Sequence, residues 1–336
     1  MPNRVSAELL QMVNAYRISQ AIHAAVALHI PDLIADATRS SDDLALQAGA
    51  DPDALYRLLR ALAALGILHE ENDRRFSLTD FGQPLRSDAP ESIAAWAAYV
   101  GRPYFWSAWG NLVGSVRTGR TAIELEHGTD VWAYREQRPD EGVIFDAAMT
   151  ALARLGADAI VRAYDFTPFG CIVDVGGGRG ANLANILQAA PNAHGILLDQ
   201  PHVVADAPET LRAAGVAHRC QIVGGSFFDP APPGGDAYVL RHVLHDWPDD
   251  ACIRILAAVR AGMPAHARIL VLDRVIGPPN MDAPNKISDL NMLVSPGGRE
   301  RTAEQFASLF TRAGLHLQQI VATGEPDSVI EAILAE

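Results

Sequence analysis

Apolar residues recur at helical spacing over positions 7–28, which predicts a helix that Pro31 then stops or restarts. Ser40-Ser41-Asp42-Asp43 supplies a helix cap and first-turn acids, positions 44–48 predict a short helix, and Gly49-Ala50-Asp51-Pro52-Asp53 reads as a turn into another. That next helix carries Leu55, Leu58, Leu59, Leu62 and Leu65 on one stripe and ends at Gly66. Two strand-like runs, 67–70 and 75–78, meet across the polar turn at Asn72-Asp73. Helix, turn, helix and hairpin in that order predict a winged helix. Positions 91–165 read as mostly helical, with Trp96, Tyr99, Tyr104, Phe105, Trp106 and Trp109 as core filling or as the wall of a pocket.

From Gly170 the pattern changes. Strands are predicted over 171–175, 195–199, 237–240 and 268–273, and helices over 181–190, 251–263 and 302–313. Strands alternating with helices imply a parallel, doubly wound α/β sheet. A length of 336 residues suits more than one core. The expected division is a winged-helix region over 1–100, a helical linker or pocket region over 101–165, and an α/β domain over 166–336.

A net charge of −13 argues against nucleic acid or an anionic membrane as partner, since both reward a basic surface. The second helix of the winged unit points the same way: it offers Arg57 and Arg60 among Leu and Ala, a surface suited to packing against protein. Three widely spaced cysteines, Cys171, Cys220 and Cys252, support neither a disulfide framework nor a thiolate zinc site. The N-terminus lacks the pattern of a secretory signal, and no apolar run reaches membrane-spanning length, so a cytoplasmic protein is expected.

Val173-Asp174-Val175-Gly176-Gly177-Gly178-Arg179-Gly180 follows a strand and opens a helix, at the carboxyl edge where such sheets bind ligands. Asp199 ends the following strand, 19 residues after Gly180, where a carboxylate can accept hydrogen bonds from ribose hydroxyls. Together they indicate a nucleoside cofactor. The dinucleotide fingerprint is Gly-x-Gly-x-x-Gly, whereas the alternate glycines here are Gly176, Gly178 and Gly180. Asp174 would repel a pyrophosphate and suits the cationic amino-acid part of S-adenosylmethionine, which favours a methyl donor over a dinucleotide.

The segment Leu240-Arg241-His242-Val243-Leu244-His245-Asp246-Trp247 also leaves a strand at that edge. An imidazole there is a natural general base for a phenol, because its proton affinity lies near neutrality. A shared metal on His242 and His245 would need further converging ligands, which the sequence does not show. Asp273 closes a later strand and Glu300 lies in the loop Ser295-Pro296-Gly297-Gly298-Arg299-Glu300; spacing leaves both open between function and solvation.

In order and spacing, VDVGGGRG, LLDQPHVV, GGSFFDPAP, LRHVLHDWPDD, LVLDRVI and DLNMLVSPGGRERTAEQF resemble the plant caffeate/flavonoid-type and bacterial polyketide-type O-methyltransferases, a family that includes acetylserotonin O-methyltransferase. The resemblance covers nearly the whole chain, including the winged helix and FDAAM at 145–149. It implies a class I, Rossmann-like methyltransferase domain behind an N-terminal winged-helix dimerisation domain. It further implies S-adenosylmethionine as cofactor, a small aromatic acceptor, an intertwined homodimer and no metal. By the same resemblance His245 is the general base flanked by Asp273 and Glu300; Gly176 approaches the methionine moiety and Asp199 holds the ribose. Ser226 and Phe227 border the adenine, and Arg241 stands where lysine is common. Ser226 replaces a usual Asp and His242 a frequent aromatic residue. Some members of the bacterial group bind the cofactor yet hydroxylate or decarboxylate, so that chemistry is the alternative to methyl transfer.

Overall fold

The structure is a computed structural model that describes residues 4–335. It divides into two compact units, Met1–Trp106 with Pro139–Leu152, and Ser107–Arg138 with Ala153–Glu336. The 101–165 stretch, expected as one linking region, is thus shared between them. Local contacts explain the return of 139–152 to the N-terminal unit: Arg102 Nε donates to Glu141 Oε2 at 2.9 Å, and the rings of Tyr99 and Phe145 meet edge-on at 5.6 Å.

The N-terminal unit begins with helices Arg4–Asn14, Tyr16–Ala27 and Ile30–Ile34. The helix expected over 7–28 is therefore broken near Ala15, and Pro31 sits in the first turn of a new helix, where its missing N–H costs nothing. Helices Ser41–Ala48 and Pro52–Ala64 follow; Ser40 Oγ accepts from Asp43 N and Asp51 Oδ1 from Ala54 N, the two caps that the sequence announced. Strands β1 (Arg39–Ser40), β2 (Leu68–Glu71) and β3 (Arg75–Leu78) form a small antiparallel sheet in the order β1-β3-β2. Leu44, Leu55, Leu59, Leu62, Ile67 and Phe76 are buried between sheet and helices, which completes a winged helix. Tyr99, Tyr104 and Phe105 are also buried and pack ring on ring.

The second unit carries a seven-stranded sheet. β4 (Cys171–Val175), β5 (His194–Asp199), β6 (Cys220–Gly224), β7 (Ala237–Arg241) and β8 (Arg268–Arg274) run parallel, and β9 (Leu315–Ala322) and β10 (Asp327–Leu334) form a hairpin. The order is β6-β5-β4-β7-β8-β10-β9, with β10 antiparallel to β8. The expected parallel sheet is thus mostly parallel. The hairpin is the exception because the short turn after Ala322 leaves no room for a crossover helix.

Val173, Val175, Leu240 and Val271 pack on one face of the sheet against helices Asp249–Gly262 and Ala303–Arg312. Ile172, Leu197, Val239 and Leu270 pack on the other against helix Ala181–Ala189 and its neighbours. Burial on both faces explains why these strands read as continuous apolar runs. Strands β4, β5, β7 and β8 end, and the antiparallel β10 begins, at one edge; Asp174, Asp199, Arg241, Asp273 and Asp327 therefore gather there. Among the described residues no helix is long and apolar enough to cross a membrane.

Candidate active site

The glycine turn after β4 is a cradle. Gly176 has φ +72°, and a Cβ there would lie 2.8 Å from Val243 Cγ2, so only glycine keeps the backbone open at this point. Its amide donates to Leu198 O at 2.8 Å, tying the turn to β5. Gly178 N donates to Asp199 Oδ2 at 2.8 Å and Gln200 N to Asp199 Oδ1 at 2.6 Å. Each carboxylate oxygen keeps a further lone pair for a hydroxyl. Gly180 caps helix Ala181–Ala189 in the left-handed region.

Asp174 is fully buried, and neither of its carboxylate oxygens has a hydrogen-bond partner. Burial raises its pKa to about 7, against the pull of Asn182 and Arg241. An orphaned buried carboxylate beside a glycine cradle fits a cationic group, and a ligand ammonium would satisfy it. Phe227 lies next to Gly176, and Ser226 Oγ accepts from Phe228 N at 3.2 Å. Arg241, expected among the cofactor-site residues, donates to Ala153 O, to Leu155 O at 2.9 Å and towards Asp327 at 3.4 Å.

Beyond β7 the chain turns through His242, at φ +53°, into a short 3-10 turn, Leu244–Asp246. His245 Nδ1 lies 3.2 Å from Glu300 Oε1 and 3.7 Å from Asp273 Oδ1, and both carboxylates are fully buried. Nε2 lies 3.5 Å from Asp246 Oδ1. Burial alone would lower the imidazole's pKa, but Asp273, Asp246 and Glu300 outweigh it and raise it to about 10. The same interaction, with a hydrogen bond from Ser288 Oγ at 2.8 Å, lowers Glu300 against its own burial, whereas burial raises Asp273. Ionised Glu300 only accepts, so Nδ1 carries the hydrogen and Nε2 presents the lone pair of the neutral ring. One donor atom from each of His245, Asp273 and Glu300 falls within 4.8 Å of the others, a spacing that a divalent cation also accepts.

Supporting residues missed by sequence reasoning hold this loop. Arg301, 1% exposed, donates to Leu244 O and Trp247 O, both at 2.9 Å, and to Asp249 Oδ1. Arg299 N donates to His245 O at 2.8 Å, and a Cβ on Gly298 would stand 2.0 Å from that same oxygen. The loop carrying Glu300 is therefore laid directly on the loop carrying His245. Trp247 stacks on Trp132 at 5.7 Å and meets Phe227 and Phe228 edge-on. A signal for Arg301 existed in its place beside Glu300, but a charged residue there reads as solvated until burial is known.

Residues 109–316 match the sequence profile of the O-methyltransferase domain, and residues 10–87 that of the O-methyltransferase dimerisation domain. The chain is 39% identical to the phenazine O-methyltransferase PhzM of Lysobacter antibioticus, over 98% of this chain and 96% of that one. It is 40% identical to the O-demethylpuromycin-O-methyltransferase of Streptomyces alboniger, over 96% and 88%. The fold also matches the crystal structure of NcsB1, an O-methyltransferase from neocarzinostatin biosynthesis in complex with S-adenosylmethionine and 2-hydroxy-5-methyl naphthoic acid, with TM-score 0.80, 32% identity and coverage of 94% and 96%. With a cradle and an orphaned carboxylate that fit the donor, and a partly buried histidine beside two buried carboxylates, the chain belongs to the S-adenosylmethionine-dependent O-methyltransferases.

Proposed function

We propose that this enzyme methylates a phenolic hydroxyl on a small aromatic or polyketide-type molecule, with His245 as general base. The observation that carries the reading is His245 Nδ1 held 3.2 Å from the buried Glu300 carboxylate, with Asp273 at 3.7 Å. S-adenosylmethionine, when bound, supplies an electrophilic methyl group. Asp174 would take its amino group, Asp199 its ribose, and Ser226 and Phe227 its adenine, while Gly176 allows the close approach. Arg241 supports the site from behind, anchoring the 153–155 turn and drawing down the pKa of Asp174. His245 Nε2 takes the proton as the acceptor oxygen attacks, and Glu300 and Asp273 hold the resulting imidazolium.

The proton affinities match. A free phenol has a pKa of about 10, so transfer to an imidazole raised to about 10 is close to thermoneutral. The dimerisation-domain match and the exposed apolar residues of helix Arg4–Asn14, where Leu9, Leu10 and Val13 are more than half exposed, support a homodimer. Three free cysteines and the acidic net charge support a cytoplasmic enzyme that engages no nucleic acid.

A panel of phenols is assayed with the donor, and methylated product is counted against S-adenosylhomocysteine, which should appear one for one. His245→Ala should lower turnover by roughly 10² to 10⁴ while donor affinity by calorimetry holds. Dialysis against a chelator should leave the wild-type rate in place. Undiminished turnover in the variant would remove His245 from the role, and a rate restored only by added cation would assign the three-residue cluster to a metal.

A further inference from the structure

His242 has no task in the reaction as described, yet its placement is strongly constrained. Its backbone lies in the left-handed region, at φ +53°, which a residue other than glycine seldom occupies without a compensating contact. That contact is polar: Nε2 lies 2.9 Å from Asp327 Oδ1. Asp327 opens β10, in register opposite Arg274 and next to the partner of Asp273, so the antiparallel hairpin delivers it to the catalytic edge. Its other oxygen is 3.4 Å from Arg241, which is itself fastened to Ala153 O and Leu155 O. The imidazole so held lies face to face with that of His245, with 5.1 Å between centroids and 17° between planes.

Glu300 and Asp273 bear on one edge of the His245 ring, at Nδ1. An edge contact fixes where that nitrogen sits but leaves the ring free to tilt about it. A tilt swings Nε2, the atom that must meet the acceptor proton, and small displacements of a reacting group cost rate disproportionately. Asp246 Oδ1, 3.5 Å from Nε2, is too distant to pin it firmly, and a contact on the ring face opposes that motion directly. We infer that His242 and Asp327 form a second histidine–carboxylate pair, a positioning device that braces the face of His245 and keeps Nε2 directed at the acceptor hydroxyl. This role rests on the proposed reading of His245 as the base.

The test is a double-mutant cycle on the full-length enzyme, with kcat, KM for both substrates and the melting temperature measured for each variant. Asp327→Asn removes the charge that holds His242 and should lower kcat by about tenfold, with KM for S-adenosylmethionine changed by less than about twofold. His242→Phe keeps a ring in the stacking position and offers Asp327 no nitrogen. In that background Asp327→Asn should therefore cost less than about twofold. An equal loss in both backgrounds would show that Asp327 works through Arg241 or through folding, and no loss in either would remove it from the mechanism; both outcomes overturn the inference.

If Asp327→Asn melts too early to assay, His242→Asn decides the matter, because asparagine tolerates the left-handed backbone and only the ring is lost. Its kcat should fall by about tenfold with unchanged donor affinity, and full turnover would overturn the inference. Failure of the base reading itself is separately visible, as retained turnover in His245→Ala.

Discussion

A partly buried imidazole facing Asp246, Asp273 and Glu300, His245 keeps its proton more tightly than a free histidine. This has two consequences of opposite value to the enzyme. In the proposed role of general base the ring would hold a transferred proton well, but the neutral form that accepts it would be scarce at neutral pH. Turnover should therefore rise with pH across the range from about 7 towards about 10. An NMR titration of the His245 ring in the donor-free protein should place its midpoint well above the ordinary value of about 6.5. The sign for stability is also set. A folded pKa raised above the unfolded one stabilises fully below the unfolded value, and that stabilisation is lost as pH rises through about 10. Melting curves of wild type and His245→Ala should accordingly converge as the solution is made alkaline. A histidine midpoint near neutrality would contradict the electrostatic reading of the three carboxylates.

Two loops make the catalytic segment one object. The turn bearing His245 and the loop bearing Glu300 are joined by Arg299 N to His245 O and by the close approach of Gly298, with Arg301 threaded beneath them. Arg301 is a buried cation that gives Leu244 O and Trp247 O their shortest hydrogen bonds, both at 2.9 Å, beside the weaker ones from Cys252 Sγ. Replacing it by Met fills similar volume but takes the charged donor from both carbonyls and from Asp249 Oδ1. The expected loss is ~2–4 kcal/mol in urea unfolding. Because the carbonyls bracket His245, kcat should fall by about tenfold or more while donor affinity holds. A variant as stable and as active as wild type would show that the hydrophobic packing of helices Asp249–Gly262 and Ala303–Arg312 alone sets this loop.

At the scale of the molecule, the N-terminal unit carries an apolar helix face with no partner of its own among the described residues. Leu9 and Val13 are 59% and 65% exposed on helix Arg4–Asn14. Burying each against a second copy is worth about 1.5–3 kcal/mol. Leu9→Glu with Val13→Glu should weaken self-association by ~10² or more, read by sedimentation velocity across a dilution series. An undisturbed dimer in that variant would move the interface to another face. The winged-helix architecture is consistent with this assignment, since the exposed side of helix Pro52–Ala64 offers two arginines among alanines and leucines rather than a basic stripe.

Much of this was legible in the chain before any coordinates. The caps at Ser40 and Asp51, the helix over 302–313 and the continuous apolar strands depend on residues close in sequence or on burial that composition already signals, and these formed as expected within a residue or two. So did the glycine cradle with Asp199, because a strand, a tight turn and a helix constrain it locally. Strands β6, β9 and β10 and helix Ala283–Val294 went unread, since their burial patterns are irregular and their partners lie far along the chain. Local sequence therefore determined the elements, the glycine loop and the presence of a histidine at the carboxyl edge. Resemblance pointed to Asp273 and Glu300 beside that histidine; only the tertiary structure decided that Asp246 joins them, that Arg301 is buried rather than solvated, and that Asp327 crosses the chain to His242. The physical reason is that charge placement, desolvation and ring stacking depend on distances through space, and these are settled by sheet order and register, which no local pattern encodes.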